Sequence, residues 1–237
     1  MTELEVHIKP IGELGVTQAD SFIYQRVKDF LLGRMGGRNS AGYKTIMNSG
    51  FDIQNATGSS LPFIIAATEL LEETNVATIL SLEDIIKIIT HGKANGKNHF
   101  KGIYVDTNEP ILYLNDNSSL SLNLAEIARN QNNTPYDAEN PARFTGLRVD
   151  KADNKEGYRL IETSKTQIIT DPRFSYSNNE QEIDFNGTPI KVFTKKTGSS
   201  RLYAYEDGLY AGDGVPADSS GVGRVGLVHA EGVGSKN

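Results

Sequence analysis

Apolar residues recur at three- and four-residue spacing in four stretches of the chain and alternate with polar ones through much of the rest. Leu82, Ile85, Ile86 and Ile89 line one face of a predicted helix. Ser81 stands where its hydroxyl accepts from the Asp84 backbone N–H while the Asp84 carboxylate reaches back, a capping box. Leu80 and Ile85 occupy the positions of a hydrophobic staple around that cap. Gly92 is the expected left-handed stop, with His91 in the last turn, where positive charge suits the helix dipole. Phe22, Ile23, Val27, Phe30 and Leu31 predict a second helix, opened at Thr17 with Asp20 completing the cap and closed by Gly33. A third, SSLPFIIAATELLEET, carries Pro62 in its first turn and is apolar around much of its circumference, which places it in the core. Glu69, Glu72 and Glu73 form its wet face. A fourth spans Ser119–Arg129 through Leu120, Leu124, Ile127 and Ala128.

The period-two signals lie at both ends and in the second half. Leu4, Val6 and Ile8 alternate up to Pro10. Ile103 and Val105 alternate with Tyr104 and Asp106, and a Thr-Asn-Glu-Pro turn leads to Ile111–Leu114, which predicts a β-hairpin. The polar segment 131–142, with Pro135 and Pro141, reads as a connector. Beyond it, alternating runs cover Phe144–Val149, Tyr158–Ile161 and the short TQIIT. Asn186-Gly187 then sits between two alternating runs, the strongest short hairpin signal, and RLYAYEDGLYAG repeats the device with Asp207-Gly208. GVGRVGLVH offers a last strand. The expected fold class is α+β: a helix-rich N-terminal part with a β-hairpin over 1–130, a connector at 131–142, and an antiparallel β-rich C-terminal part over 143–237, as a small barrel or sandwich. Residues 39–60 are polar and turn-rich without a sustained period, compatible with an ordered loop or a mobile one.

Composition narrows the function more than the fold. The 237 residues are 38% hydrophobic and 23% charged, with a formal net charge of −6. That balance argues against a surface that wraps nucleic acid throughout, although a local basic patch is compatible with it. The absence of cysteine excludes disulfides, thiolate metal ligands and cysteine nucleophiles. The charged opening residues lack the apolar core of a secretory signal, and no stretch approaches the roughly 20 apolar residues of a membrane span. The default expectation is a soluble cytoplasmic protein without membrane insertion, with a particle component as the alternative.

Two groups of residues carry candidate chemistry. Lys93, Lys97, His99 and Lys101 follow His91 in a loop with Gly92, Gly96 and Gly102 and no acid, a pattern suited to phosphate. The loop is not a P-loop: three residues separate Gly92 from Gly96, Asn98 replaces the hydroxyl, and a helix leads in. Arg34 and Arg38 in GRMGGRNS form a second candidate anion site. Tyr203, Tyr205 and Tyr210 flank the Asp207-Gly208 turn, and Tyr203 and Tyr205 share a strand face, so they are candidate partner-binding residues as well as candidate cross-strand packing. Asp207, Asp213 and Asp218 raise calcium, but their spacing is not that of an EF-hand and turns recruit aspartate for backbone reasons. His7, His91, His99 and His229 form no ligand motif, and GVGRVG has no helix or βαβ unit after it. No metal or cofactor is assigned.

No catalytic constellation emerges and no family resemblance is evident. The leading expectation is therefore a non-enzymatic binding or assembly protein that uses the β-rich C-terminal half to contact a protein partner or a second copy of itself. The alternative is an enzyme or binder of phosphate-bearing ligands, nucleic acid included, acting through the basic loop 91–101.

Overall fold

A computed structural model of the chain describes residues 9–10, 16–74, 77–131, 135–177, 180–212 and 215–229. The helices mostly begin where a side chain satisfies an orphan N–H of the first turn, as Asp20, Ser40, Ser81 and Ser118 do. Among the described residues they are α1 (Ser21–Arg34), α2 (Ala41–Ile46), α3 (Leu61–Thr74), α4 (Leu82–Ala94) and α5 (Ser119–Asn130). Asp20 is itself the N-cap of α1, accepting from Ile23 N–H at 3.0 Å, so Thr17 lies in a strand and not in the helix. The helix also runs one residue past Gly33. At α4 the capping box forms in full, with Ser81 Oγ accepting from Asp84 N–H at 3.2 Å and Asp84 Oδ2 accepting from Ser81 N–H at 3.1 Å.

The expected stop at Gly92 is corrected. Gly92 stays helical, and a Cβ there would lie 2.6 Å from the Lys97 carbonyl oxygen, so the missing side chain serves a close approach. The left-handed residue is Gly96, with φ of 62°. The polar stretch 39–60 is ordered: Ser40 caps α2, and Asp52 pairs with Thr57.

The strands are short and assemble into three sheets and a separate hairpin. β1 (Lys9–Pro10), β2 (Val16–Gln18), β3 (Ala77–Ile79) and β16 (Gly226–His229) make one sheet in the order β1-β2-β16-β3. A six-stranded sheet takes β4 (Phe100–Asp106), β10 (Glu180–Phe185), β11 (Thr188–Phe193), β13 (Tyr203–Glu206), β14 (Gly208–Tyr210) and β15 (Gly223–Arg224), in the order β10-β11-β14-β13-β4-β15. The third sheet, β12-β5-β6-β9, uses β5 (Ile111–Leu112), β6 (Ala142–Thr145), β9 (Gln167–Thr170) and β12 (Ser199–Ser200). β7 (Arg148–Lys151) and β8 (Tyr158–Ile161) pair only with each other. Pairing is mostly antiparallel, with parallel contacts at β11–β14 and β4–β15. The molecule is thus α+β and rich in strand. No helix among the described residues is long and apolar enough to cross a membrane.

The Asn186-Gly187 hairpin forms as expected: both residues take positive φ, and Phe185 faces Thr188. The expected hairpin over 103–114 does not form. β4 pairs with β13 and β15, whereas β5 pairs with β6 and β12. The turn between them is pulled inward because Glu109 is held by Arg143 and by the Leu82 N–H at 3.1 Å. The run Phe144–Val149 likewise splits at Gly146 into β6 and β7. Strands from both sides of 131–142 share the second and third sheets. The alternation at Leu4–Ile8 lies outside the described residues.

Two apolar clusters fill the interior. Tyr24 and Leu31 of α1, Phe63 and Ile64 of α3, and Leu124 of α5 pack with Phe144, Val149 and Leu160. Ile85, Ile86 and Ile89 of α4 pack with Val105, Ile190, Val192, Ala204 and Leu209 of the six-stranded sheet. A chain of charges runs beside them. Arg143 on β6 bonds Glu109 through one guanidinium nitrogen and Asp171 Oδ2 through Nε at 3.2 Å, and all three side chains are buried. Arg173 continues the chain, reaching Asp171 at 2.7 Å and Glu83 of α4 at 3.3 Å. Burial alone would raise the Asp171 carboxyl, but the hydrogen bond and charge of Arg173, with the charge of Arg143, hold it below the usual carboxylate range.

Removing Arg143 leaves the buried Glu109 carboxylate without a cation and takes one of two guanidiniums from Asp171, so Arg143→Ala is expected to cost about 3–5 kcal/mol in urea unfolding at neutral pH. Because the Asp171 carboxyl is depressed in the folded state, the unfolded chain binds more protons as acid is added. Stability of the wild type from this network is full above the usual carboxylate range and is lost as pH falls through the depressed value. Unfolding midpoints measured across acid pH should show this loss and should show less of it in the Arg143→Ala chain.

Candidate functional site

Period-two alternation gives the six-stranded sheet two unlike faces. Val192, Leu209, Ala204 and Val105 stand opposite one another across β11, β14, β13 and β4 and meet the isoleucines of α4. The next register position on each strand therefore points away from α4. Phe193 faces Tyr210, Tyr210 faces Tyr203, and Tyr203 faces Asp106. One position further on the same side lie Lys191, Gly208, Tyr205 and Tyr104.

The rings form a continuous ladder. Phe193 and Tyr210 stack with centroids 4.3 Å apart and planes 11° from parallel; Tyr210 and Tyr203 follow at 5.1 Å and 14°. Tyr205 meets Tyr210 edge-on at 6.1 Å, and Tyr104 meets Tyr203 edge-on at 5.6 Å. Such pairs are favoured by the ring quadrupole in addition to the area they bury. Gly208 makes the packing fit, because a Cβ there would already lie 3.3 Å from the Phe193 ring. The expected Asp207-Gly208 turn is displaced accordingly: Tyr205 pairs with Gly208, Glu206 and Asp207 make the turn, and Glu206 takes the positive φ.

One end of the ladder is closed and the other is open. Arg201 lies 4.7 Å from the centroids of both Tyr104 and Tyr203, a double cation–π contact. Its guanidinium donates to the Asp218 carbonyl at 3.0 Å and faces Asp106 Oδ2 at 3.5 Å. The Tyr104 hydroxyl donates to the Ser59 carbonyl at 2.8 Å and accepts from Ser220 N–H at 3.0 Å, which draws the loops over β4. Asp106 is fully buried, and that burial raises its carboxyl above the ordinary value despite the opposing pull of Arg201 and of the Ser59 hydroxyl. Away from this corner, Phe193, Tyr205 and Tyr210 are half-exposed and Lys191 is exposed.

The basic loop and the tyrosine hairpin, two separate candidates in the sequence, meet in the fold. Lys93 donates to the Pro189 carbonyl at 2.7 Å and faces Asp207 at 3.7 Å. Glu206 accepts from Asn98 Nδ2 at 2.8 Å and from Gly102 N–H at 3.0 Å. The space enclosed by Lys93, Lys97, His99, Glu206 and Asp207 is about 10 Å³, room for a single water. His99 stacks on His91 at 6.3 Å, and burial, followed by the charges of His91 and Lys97, lowers its pKa, so it is neutral at neutral pH. Lys97 and Lys101 are exposed. The Arg34–Arg38 candidate lies at the far end of α1, where Arg34 pairs with Glu69 at 2.6 Å and donates to the Val149 carbonyl at 3.1 Å. Arg38 is exposed, and its charge acts on Tyr43. Of the three turn aspartates, Asp213 lies outside the described residues, and no cluster of three potential metal ligands occurs among those described.

Sequence reading singled out the three tyrosines but missed Phe193, Tyr104 and the Arg201–Asp106 pair. Alternation places each on a face, yet the parallel contact that sets Phe193 beside Tyr210 joins strands that no local signal pairs. Comparison of the chain with protein-family models, curated protein sequences and solved structures finds no match.

Arg201→Ala should cost roughly 3 kcal/mol at neutral pH, because it removes the cover of two rings and leaves a buried carboxylate alone. Asp106 titrates upward from a raised value, so stability in that variant is greatest in mild acid and falls as pH rises through the carboxyl's folded pKa. Thermal unfolding of Arg201→Ala at mildly acidic and neutral pH checks the sign; a variant more stable at neutral pH contradicts it.

Proposed function

We propose that this protein is a non-enzymatic binding or assembly protein whose contact surface is the open end of the aromatic sheet face, centred on Phe193, Tyr205 and Tyr210. The observation that carries the reading is the half-exposed ring ladder, set on a sheet braced from behind by α4 and at its side by Arg201. Rigid aromatic side chains supply contact area at low entropic cost, and Tyr adds a hydrogen-bonding tip. Lys191 beside the rings gives the patch a charged rim. The carboxylates of Glu206 and Asp207 are directed toward the loop of α4, and that clasp holds the hairpin still.

The partner is a protein chain, either a second copy or a different protein. Tyr205→Ser removes the ring that meets its neighbour only edge-on, and should leave the melting temperature nearly unchanged. It is expected to weaken association by roughly 2 kcal/mol, the cost typical of an aromatic anchor at an interface. Sedimentation over a dilution series, with capture of partners by the immobilised chain, reads both forms of contact. A mass that stays monomeric throughout, joined to capture that Tyr205→Ser leaves unaltered, would end this reading.

A further inference from the structure

A second concavity differs from the aromatic face in chemistry as well as in lining. It is an open groove of about 640 Å³ between α5 and the β7–β8 hairpin. Its volume falls in the range of small-molecule sites. Asn115, Ser119, Asn123, Arg129, Tyr136 and Arg159 supply its polar walls. We propose that this groove binds a phosphorylated, hydroxylated ring of sugar-phosphate or nucleotide-monophosphate size.

The fold has already used some of the groove's hydrogen-bonding groups and left others to a ligand. Asn123 Oδ1 accepts from the Leu160 backbone N–H at 2.8 Å. That donor fixes the orientation of the amide and leaves Nδ2 as a donor at the groove wall. Asn115 Oδ1 accepts from the Tyr136 hydroxyl at 3.0 Å, again leaving an amide donor. Asn154 is consumed by the hairpin, accepting from Gly157 N–H at 2.7 Å and donating to the Tyr158 carbonyl at 2.9 Å.

The two groove arginines differ from those that the fold has paired with carboxylates. Arg34, Arg143, Arg173 and Arg201 all face carboxylates within 4.0 Å. Arg129 spends only Nε, on the Ala125 carbonyl at 3.3 Å, so both of its terminal nitrogens are uncommitted. The Arg159 side chain makes no hydrogen bond or ion pair among the described residues. Asp150 sits opposite it across the hairpin, yet the pair does not close to ion-pair distance.

The groove therefore presents two guanidinium forks and two amide donors against one carboxylate, Glu126. A donor-rich wall calls for an acceptor-rich ligand, and planar guanidinium forks match phosphate oxygens bidentately. Glu126 is the one group suited to accept from ligand hydroxyls. Leu122, half of whose surface is exposed, and the Tyr136 ring offer apolar area against which a sugar or base can lie.

This inference is independent of the proposed aromatic contact, since no residue is shared. Calorimetric titration with ribose 5-phosphate, glucose 6-phosphate and AMP, with inorganic phosphate and glucose as fragments, tests it on the full chain. At least one of the three phosphate esters should bind more tightly than either fragment. Arg129→Gln and Arg159→Gln should each weaken that binding about tenfold, as loss of a charged hydrogen bond implies. Both arginines are exposed, so the variants should keep the wild-type melting temperature. AMP binding tighter than ribose 5-phosphate would point to a nucleotide, and equal binding to a sugar phosphate; either supports the site. No binding of any ester at millimolar concentration, or binding that the double variant leaves intact, overturns it.

Discussion

Arg143 between Glu109 and Asp171 is the interaction from which the arrangement of the sheets follows. A buried guanidinium with two carboxylates satisfies charge and hydrogen-bonding demand at once, provided all three stay in place. Glu109 lies in the turn after β4, Asp171 follows β9, and Arg143 sits on β6. Holding the three together draws the β4–β5 turn inward. β5 then joins β6, and β4 is left to pair elsewhere. Glu109 also takes the Leu82 N–H, and Arg173 extends the network to Glu83, so the same charges anchor the first turn of α4.

The two-faced sheet is the consequence that matters for function. Burying α4 against Val105, Val192, Ala204 and Leu209 commits one alternating set of positions on those strands to the core. The other set is turned outward together, and there the chain places Phe193, Tyr210, Tyr203, Tyr205 and Tyr104. Such a row left uncovered is a stretch of apolar surface with polar tips, a composition typical of contact surfaces. At the β4 end the protein covers it with Arg201 and the Ser59 and Ser220 loops. At the β11–β14 end it does not.

The basic loop acquires a structural role that its composition does not announce. Its cations and amides are set against the carboxylates of the tyrosine hairpin, so they fix the turn of the sheet that bears the rings. Arg129 and Arg159 keep guanidiniums without carboxylates at the opposite type of site: open, carboxamide-lined and donor-rich. Where a charge finds its partner depends on the fold, and residue counts in a loop do not reveal it.

Features encoded within a few residues were legible from the chain. The Ser81–Asp84 box, the span of α3 and the Asn186-Gly187 hairpin all depend on contacts three or four positions apart, and all of them form, whereas the cap expected at Thr17 falls three residues later at Asp20. Alternation also assigned Tyr203 and Tyr205 to one face. What alternation cannot specify is the neighbour of each strand. β4 finds β13 about a hundred residues later, β5 finds β12, and β14 lies parallel to β11. Those pairings are settled by burial of the charge network and by closure of two apolar clusters, both sums over residues distant in sequence. The helix ends and tight turns were thus determined locally, while the ring ladder and the groove exist only because the tertiary structure brings separate strands and helices side by side.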